Sequence, residues 1–158
     1  MLQKSSKSDG ENREMINKMI ERFETKLGVS TVSVKELQIW LKDEHWKKKY
    51  VVVDVREERE RKISHIPGSI SKKEFEANIA RYKNRKIISY CTIGYRSGLF
   101  TKKLRKSGYA AFNLRGSILL WAHSQGDLID TQGLPTKKVH VYGLRWDLLP
   151  AQYESVVD

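Results

Sequence analysis

Apolar and polar positions follow two rhythms along this chain. Between residues 13 and 27, Met15, Ile16, Met19, Ile20, Phe23 and Leu27 recur at helical spacing, while Glu21, Arg22, Glu24 and Lys26 fill the other face. That stripe predicts an amphipathic helix over 13–28, closed by Gly28 and suited to packing on the domain that follows. The polar residues 1–12 ahead of it predict a flexible tail.

Downstream the rhythm alternates. Residues 29–34 form a short β-branched run, and Ser33 with Glu36 suits the capped start of a helix that turns Leu37, Trp40 and Leu41 inward. Residues 50–55 carry Val51, Val52 and Val53 in a row, the pattern of an inner strand covered on both faces. A charged turn over 57–62 and a Pro67-Gly68 turn follow, then a short strand at Ser69 and Ile70. Ser71 suits the cap of a helix holding Phe75, Ile79 and Tyr82. Further strands are expected over 86–90 and 109–114, with helices through Leu99, Phe100 and Leu104 and through Ile118 to Trp121. Strand and helix in alternation predict an α/β fold with a mostly parallel sheet. Val139, Val141, Leu144, Trp146 and Leu148 make residues 126–158 too apolar for a free tail, so this extension is expected to pack back on the domain. Packing is also the role assigned there to His140 and Trp146.

The candidate chemistry lies where residues 86–90 give way to the next helix. Cys91 stands at that junction, with Arg96 after four intervening residues and Ser97 at an N-cap position. A loop between a strand end and a helix start gathers several N–H groups into one small space, and the helix adds positive potential there. A cysteine in that cup is set up as a nucleophilic thiolate, and the Arg96 fork suits an oxyanion or braces the loop. Asp54 and Arg56, at the C-terminal end of the valine strand, lie on the sheet edge where α/β folds place their sites, and two roles stand open for them there: site residues, with Arg56 holding an oxyanion, or a structural salt bridge.

Composition narrows this picture. The chain has 158 residues, enough for one domain with short extensions. No run approaches the ~20 apolar residues of a membrane span, and the first residues lack a secretory core. Cys91 is the single cysteine, so an intramolecular disulfide is excluded and a cytoplasmic setting is the default. His65 has no second ligand at metal spacing, so no metal is expected. The net charge of +11 admits anionic substrates or an acidic protein partner. Nucleic acid is the weakest of these expectations, because the basic residues are spread along the chain and no RNA-binding motif is present.

The segments together resemble a single rhodanese domain. The resemblance rests on Val53-Asp54-Val55-Arg56-Glu57, His65-Ile66-Pro67-Gly68-Ser69-Ile70, Tyr90-Cys91-Thr92-Ile93-Gly94-Tyr95-Arg96-Ser97, Leu104-Arg105-Lys106-Ser107-Gly108-Tyr109, and Asn113-Leu114-Arg115-Gly116-Ser117 with Trp121. It covers residues 29–125 in order and spacing. It implies a three-layer α/β fold, with a central five-stranded and mostly parallel sheet flanked by helices. It also implies a monomeric, cofactor-free sulfurtransferase in which Cys91 takes a sulfane sulfur from thiosulfate or a persulfide and passes it to a thiol or cyanide. Thr92, Ile93, Gly94, Tyr95 and Ser97 would hold the sulfur, with Asp54 and Arg56 on the rim. Related cysteine-dependent phosphatases carry one residue more between cysteine and arginine, so the shorter loop ranks sulfur transfer above phosphate chemistry. A catalytically silent binding module is the remaining alternative. The acidic-Gly-Gly that the family places before its last helix is here Arg115-Gly116-Ser117, which bears on donor preference.

Overall fold

The structure, a computed structural model, describes residues 7–158. Helix α1 (Asp9–Leu27) opens it. The Ser8 hydroxyl accepts the Glu11 N–H, and the Glu11 carboxylate accepts the Ser8 N–H, a reciprocal cap. The cap starts the helix four residues before the predicted start at residue 13, so part of the expected tail is helical. Residues 1–6 of that tail lie outside the described residues. Asp9 also accepts the Ala151 N–H, which ties this first turn to the end of the chain.

Strand β1 (Thr31–Val32) is followed by helices α2 (Val34–Lys42) and α3 (Glu44–Lys47). Then come β2 (Tyr50–Asp54), α4 (Glu58–Arg61), β3 (Ile70–Ser71) and α5 (Lys72–Ala77). Strand β4 (Lys86–Tyr90) leads into α6 (Tyr95–Lys106), and β5 (Ala111–Leu114) leads into α7 (Ser117–His123). The five strands form one sheet in the order β1-β5-β4-β2-β3, every pair parallel. This is the α/β architecture the alternating rhythm predicts. β2 and β4 start in register, Tyr50 opposite Lys86.

Period-two alternation divides the core into two layers. Val51, Val53 and Ile87 face Phe75, Phe100 and Leu104 on one side. Val52, Ile88 and Tyr90 face the other, where α1 supplies Ile16 and Ile20, and α7 supplies Ile118 and Leu119. The C-terminal extension joins this second layer. Val139, Val141, Leu148 and Tyr153 are buried in it, and β6 (Lys138–His140) pairs in parallel with β7 (Glu154–Val156). Two expected core residues stay outside: Leu99 is 46% exposed and Leu144 is 70% exposed. Leu99 falls on the outer face of α6, between buried Gly98 and Phe100, and Leu144 begins an outlying 3-10 turn. No helix among the described residues is long and apolar enough to cross a membrane.

Candidate active site

The loop after β4 is shaped by its carbonyls. Those of Cys91 and Thr92 accept the N–H groups of Ile118 and Leu119, in the first turn of α7. The Gly94 carbonyl accepts from the Asn113 side-chain amide at 2.9 Å. With these oxygens tied down behind the loop, the amides at the start of α6, which have no intrahelical acceptor, are left for the cup. The Gly94 N–H donates to Cys91 Sγ at 3.1 Å. Gly94 has φ +116°, a conformation that L side chains rarely adopt, and Asn113 and Ser117 lie against it. A side chain there would strain the turn that aims this N–H.

Gly94, not Ser97, is the N-cap of α6. Ser97 stands one turn inside the helix start, fully buried, and its hydroxyl proton lies between two acceptors: Asn113 Oδ1 at 2.6 Å and Cys91 Sγ at 3.3 Å. Ser117 Oγ accepts the Cys91 N–H at 3.1 Å and donates to the Leu114 carbonyl. Cys91 is thus buried, 1% exposed, with the Gly94 amide and the Ser97 hydroxyl on its sulfur. Thr92 and Ile93 are buried beside it.

Arg96 braces the loop. Its guanidinium donates to both Glu60 oxygens, at 2.8 and 2.9 Å, and to Thr92 Oγ1 at 3.1 Å. The Tyr142 ring, from the extension, lies 4.7 Å from it. Burial would raise the Glu60 carboxyl, but the Arg96 hydrogen bonds and the Glu57 N–H outweigh it and hold the group below its ordinary range. Burial likewise opposes the Arg96 charge, and Glu60 more than compensates. His140 sits behind Glu60. Its Nδ1 accepts the Tyr142 N–H at 3.0 Å, which leaves Nε2 to donate to Asp158 at 3.0 Å. Burial lowers its pKa, consistent with this neutral tautomer, so the 3.9 Å approach of Nδ1 to Glu60 is not an ion pair. The extension therefore reaches the loop through Tyr142, a contact the sequence did not suggest. His140 takes a buried role behind it.

Asp54 and Arg56 do not form a rim. Both side chains are fully buried and paired, Arg56 Nη2 to Asp54 Oδ2 at 2.8 Å. Arg56 also donates to the Ser64 carbonyl, and Asp54 accepts from the Tyr90 hydroxyl and from Arg61. Both turn into the fold from the strand end, because the Asp54 carboxylate accepts the Arg56 N–H and closes a local turn. Burial works against the Asp54 charge, yet the Arg56 and Arg61 cations hold its carboxyl below the ordinary range. Tyr95 packs on Phe23 of α1 at 5.3 Å, and Lys26 lies 5.8 Å from its ring, so it covers the flank of the loop. Arg115 is taken by Glu24 of α1 at 2.7 Å.

Comparison with known proteins agrees with this geometry. The chain belongs to the rhodanese-like family: residues 37–124 match its domain. It is 32% identical over 117 residues to the tRNA uridine(34) hydroxylase of Acholeplasma laidlawii, covering 68% of this chain but only 36% of that protein. The chain thus spans about a third of the length of that relative. Among solved structures it is similar to the BH2092 protein of Bacillus halodurans, at 27% identity and TM-score 0.55, over 74% of this chain and 88% of that one. The thiosulfate sulfurtransferase of Pseudomonas aeruginosa shares the fold at TM-score 0.60 and 23% identity, over 73% of this chain and 22% of that one.

Proposed function

We propose that this chain is a sulfurtransferase that carries a sulfane sulfur on Cys91. The observation behind this reading is the Gly94 N–H on Cys91 Sγ at 3.1 Å, within a loop whose carbonyls are held away. The Cys91 thiolate attacks the outer sulfur of thiosulfate. The new Sγ–S bond forms as the S–S bond of the donor breaks, and sulfite leaves with the electron pair. A thiolate or cyanide then attacks the carried sulfur, and Cys91 leaves as the thiolate, so the cycle is redox-neutral and ping-pong. Amides of residues 92–96 stabilise the anionic terminal sulfur, and Arg96 with Glu60 keeps them in place. Asp54 and Arg56 support the strand end and touch no substrate.

The test is intact-mass analysis after incubation with thiosulfate or a small-molecule persulfide. A gain of one sulfur atom on the wild type, absent in Cys91→Ser, is the expected result. A Cys91→Ser protein that forms thiocyanate at the wild-type rate ends the reading, and Cys91-dependent hydrolysis of an aryl phosphate would replace it with phosphatase chemistry. No uptake from any donor, with the fold intact, leaves a binding module.

A second reading carries over the substrate in the relative's name, tRNA uridine, and is favoured by the 32% identity. With dioxygen as oxidant and an added thiol supplying the two electrons that release its second oxygen atom as water, a Cys91-dependent gain of one oxygen atom on uridine in an unmodified tRNA would support it over sulfur transfer.

A further inference from the structure

Cations that are dispersed in the sequence come together on folding. Residues 42–49 precede β2 and residues 85–86 open β4. These strands are parallel neighbours in register, so both segments meet at the N-terminal end of the sheet. Cys91 follows the other end of β4.

There the cations rest on rings. Trp40 and Trp46 stack at 5.2 Å. The Lys86 ammonium lies 5.4 Å from Trp40, 5.8 Å from Trp46 and 5.9 Å from Phe112. Lys49 lies 5.1 Å from Trp46, and Arg85 lies 5.6 Å from Tyr82. Lys42, Lys48, Lys49, Arg85 and Lys86 form no ion pair among the described residues. The Lys47–Glu44 pair, at 2.7 Å, is the exception at this edge. A solvated lysine is a mobile point charge, whereas Lys49, Arg85 and Lys86 of this group lie against aromatic faces that restrict them. Fixed, unneutralised cations with partly exposed rings between them are the pattern that follows a sugar-phosphate strand.

Beside the rings opens a cleft of about 590 Å³, within the range of small-ligand sites, lined by Lys42, Lys47, Arg85, Tyr50, Gln38 and Asp127. Asp127 decides the class of ligand. A site for phosphate alone has no use for a carboxylate, whereas the exposed Asp127 in this lining can accept a hydroxyl or an exocyclic amine. The sugar 2′-hydroxyl is the group that distinguishes RNA.

We infer that the N-terminal end of the sheet is a binding surface for single-stranded RNA, with phosphates on Lys49, Arg85 and Lys86 and one nucleotide in the adjoining cleft. The inference stands apart from the chemistry of Cys91.

The experiment is fluorescence anisotropy of a labelled short oligouridylate, titrated with the full chain over a series of salt concentrations. Binding is expected to weaken steeply with salt. The Lys49→Gln/Arg85→Gln/Lys86→Gln protein should bind at least about tenfold more weakly, with the log–log salt slope reduced by about 2, as for three lost phosphate contacts at about 0.7 each. Lys62→Gln/Lys73→Gln/Lys138→Gln removes the same charge from scattered exposed sites and should lose less than about threefold, through long-range attraction alone. Equal losses in both triples overturn the surface. So does equal affinity for the DNA oligomer of the same length, or displacement of the RNA by polyglutamate at equal charge, which would mark an acidic-protein site. If circular dichroism shows the first triple unfolded, Lys86→Gln alone is titrated, and ultraviolet crosslinks on the wild type are mapped by peptide mass. Crosslinks within residues 40–49 and 82–86 support the surface, and crosslinks elsewhere overturn it.

Discussion

At the C-terminal end of the sheet, Arg56, Arg61 and Arg96 each meet a carboxylate, while at the N-terminal end Lys49, Arg85 and Lys86 meet rings. The first arrangement cancels charge and fixes geometry. A bidentate fork has one good orientation, so Arg96 on Glu60 sets where Thr92 and the loop stand. The second arrangement fixes position and leaves the charge in force. One fold therefore has an end where removing a single charge strands its partner, and an end where, the exposed Lys47–Glu44 pair aside, it strands nothing.

The largest expected effect tests that asymmetry where burial is complete. Asp54→Ala leaves the Arg56 guanidinium enclosed without its carboxylate and removes the acceptor for Tyr90 and Arg61, at a cost of about 3–5 kcal/mol. Urea unfolding measures it, and a loss below about 1 kcal/mol would break the comparison. Glu60→Gln should cost less, about 1–2 kcal/mol, because Arg96 is 31% exposed and can turn to water. Its larger effect falls on the loop, where sulfur uptake by Cys91 should slow on the order of tenfold.

Acid sharpens the same contrast. The Asp54 and Glu60 carboxyls sit below ordinary values of 3.8 and 4.5 in the folded chain. The stability they contribute is therefore complete above those values and is lost as the pH falls through the depressed folded ones. Unfolding curves between neutral pH and acid should show this loss begin near pH 4.5 in the wild type and be shallower in Glu60→Gln. An unchanged acid limb in that variant would mean that Glu60 titrates alike in both states.

These effects follow residues that the linear pattern exposes unequally. The cysteine loop is local: Cys91, Gly94 and Arg96 lie within one turn of chain, so their spacing reports their meeting. The valine strand and the alternating helices were legible for the same reason, since a periodic pattern needs no partner to be read. Asp54 and Arg56 lie on the expected edge, and of the two roles open to them there the structure shows the salt bridge and not the rim, because a strand end does not say whether its side chains turn out or in. Glu60 was invisible within the charged run of residues 57–62, where one carboxylate is buried among solvated ones. Ser117 and Asn113 reach the sulfur site only because α7 and β5 close behind it. Tyr142 comes from an extension whose packing was expected and whose contact with Arg96 was not. The cations of the opposite edge read as dispersed because parallel pairing, and not sequence, brings residue 49 beside residue 86.

Tyr142 offers a smaller test. It holds φ +72° without being glycine, and its half-exposed ring lies over Arg96. Tyr142→Ala loses the ring and keeps the strained backbone, for about 0.5–1 kcal/mol. Tyr142→Gly loses the ring but relieves about 1 kcal/mol of left-handed strain, so its stability should return near that of the wild type. Both variants should slow sulfur uptake alike. A difference between them would tie the extension's influence to backbone shape rather than to the ring on Arg96.

The smallest effect is expected at the ring-held end. Lys86→Gln removes an ammonium from three aromatic faces, each contact worth about 0.5–1 kcal/mol at an exposed site, but it also removes repulsion from Lys49, which shares the Trp46 ring. The two contributions oppose each other, so stability in urea should change by less than about 1 kcal/mol, and sulfur uptake at Cys91 should not change. Salt separates the contributions. Screening over a Debye length of about 10 Å at 0.1 M quiets the repulsion among exposed cations far more than it touches an enclosed pair. Wild-type stability should therefore rise modestly with sodium chloride, and that rise should shrink in Lys86→Gln while Tyr142→Ala keeps it. A loss of several kcal/mol in Lys86→Gln would show the ammonium to be a strut for Trp40, Trp46 and Phe112, and the two ends of the sheet would then use charge in the same way.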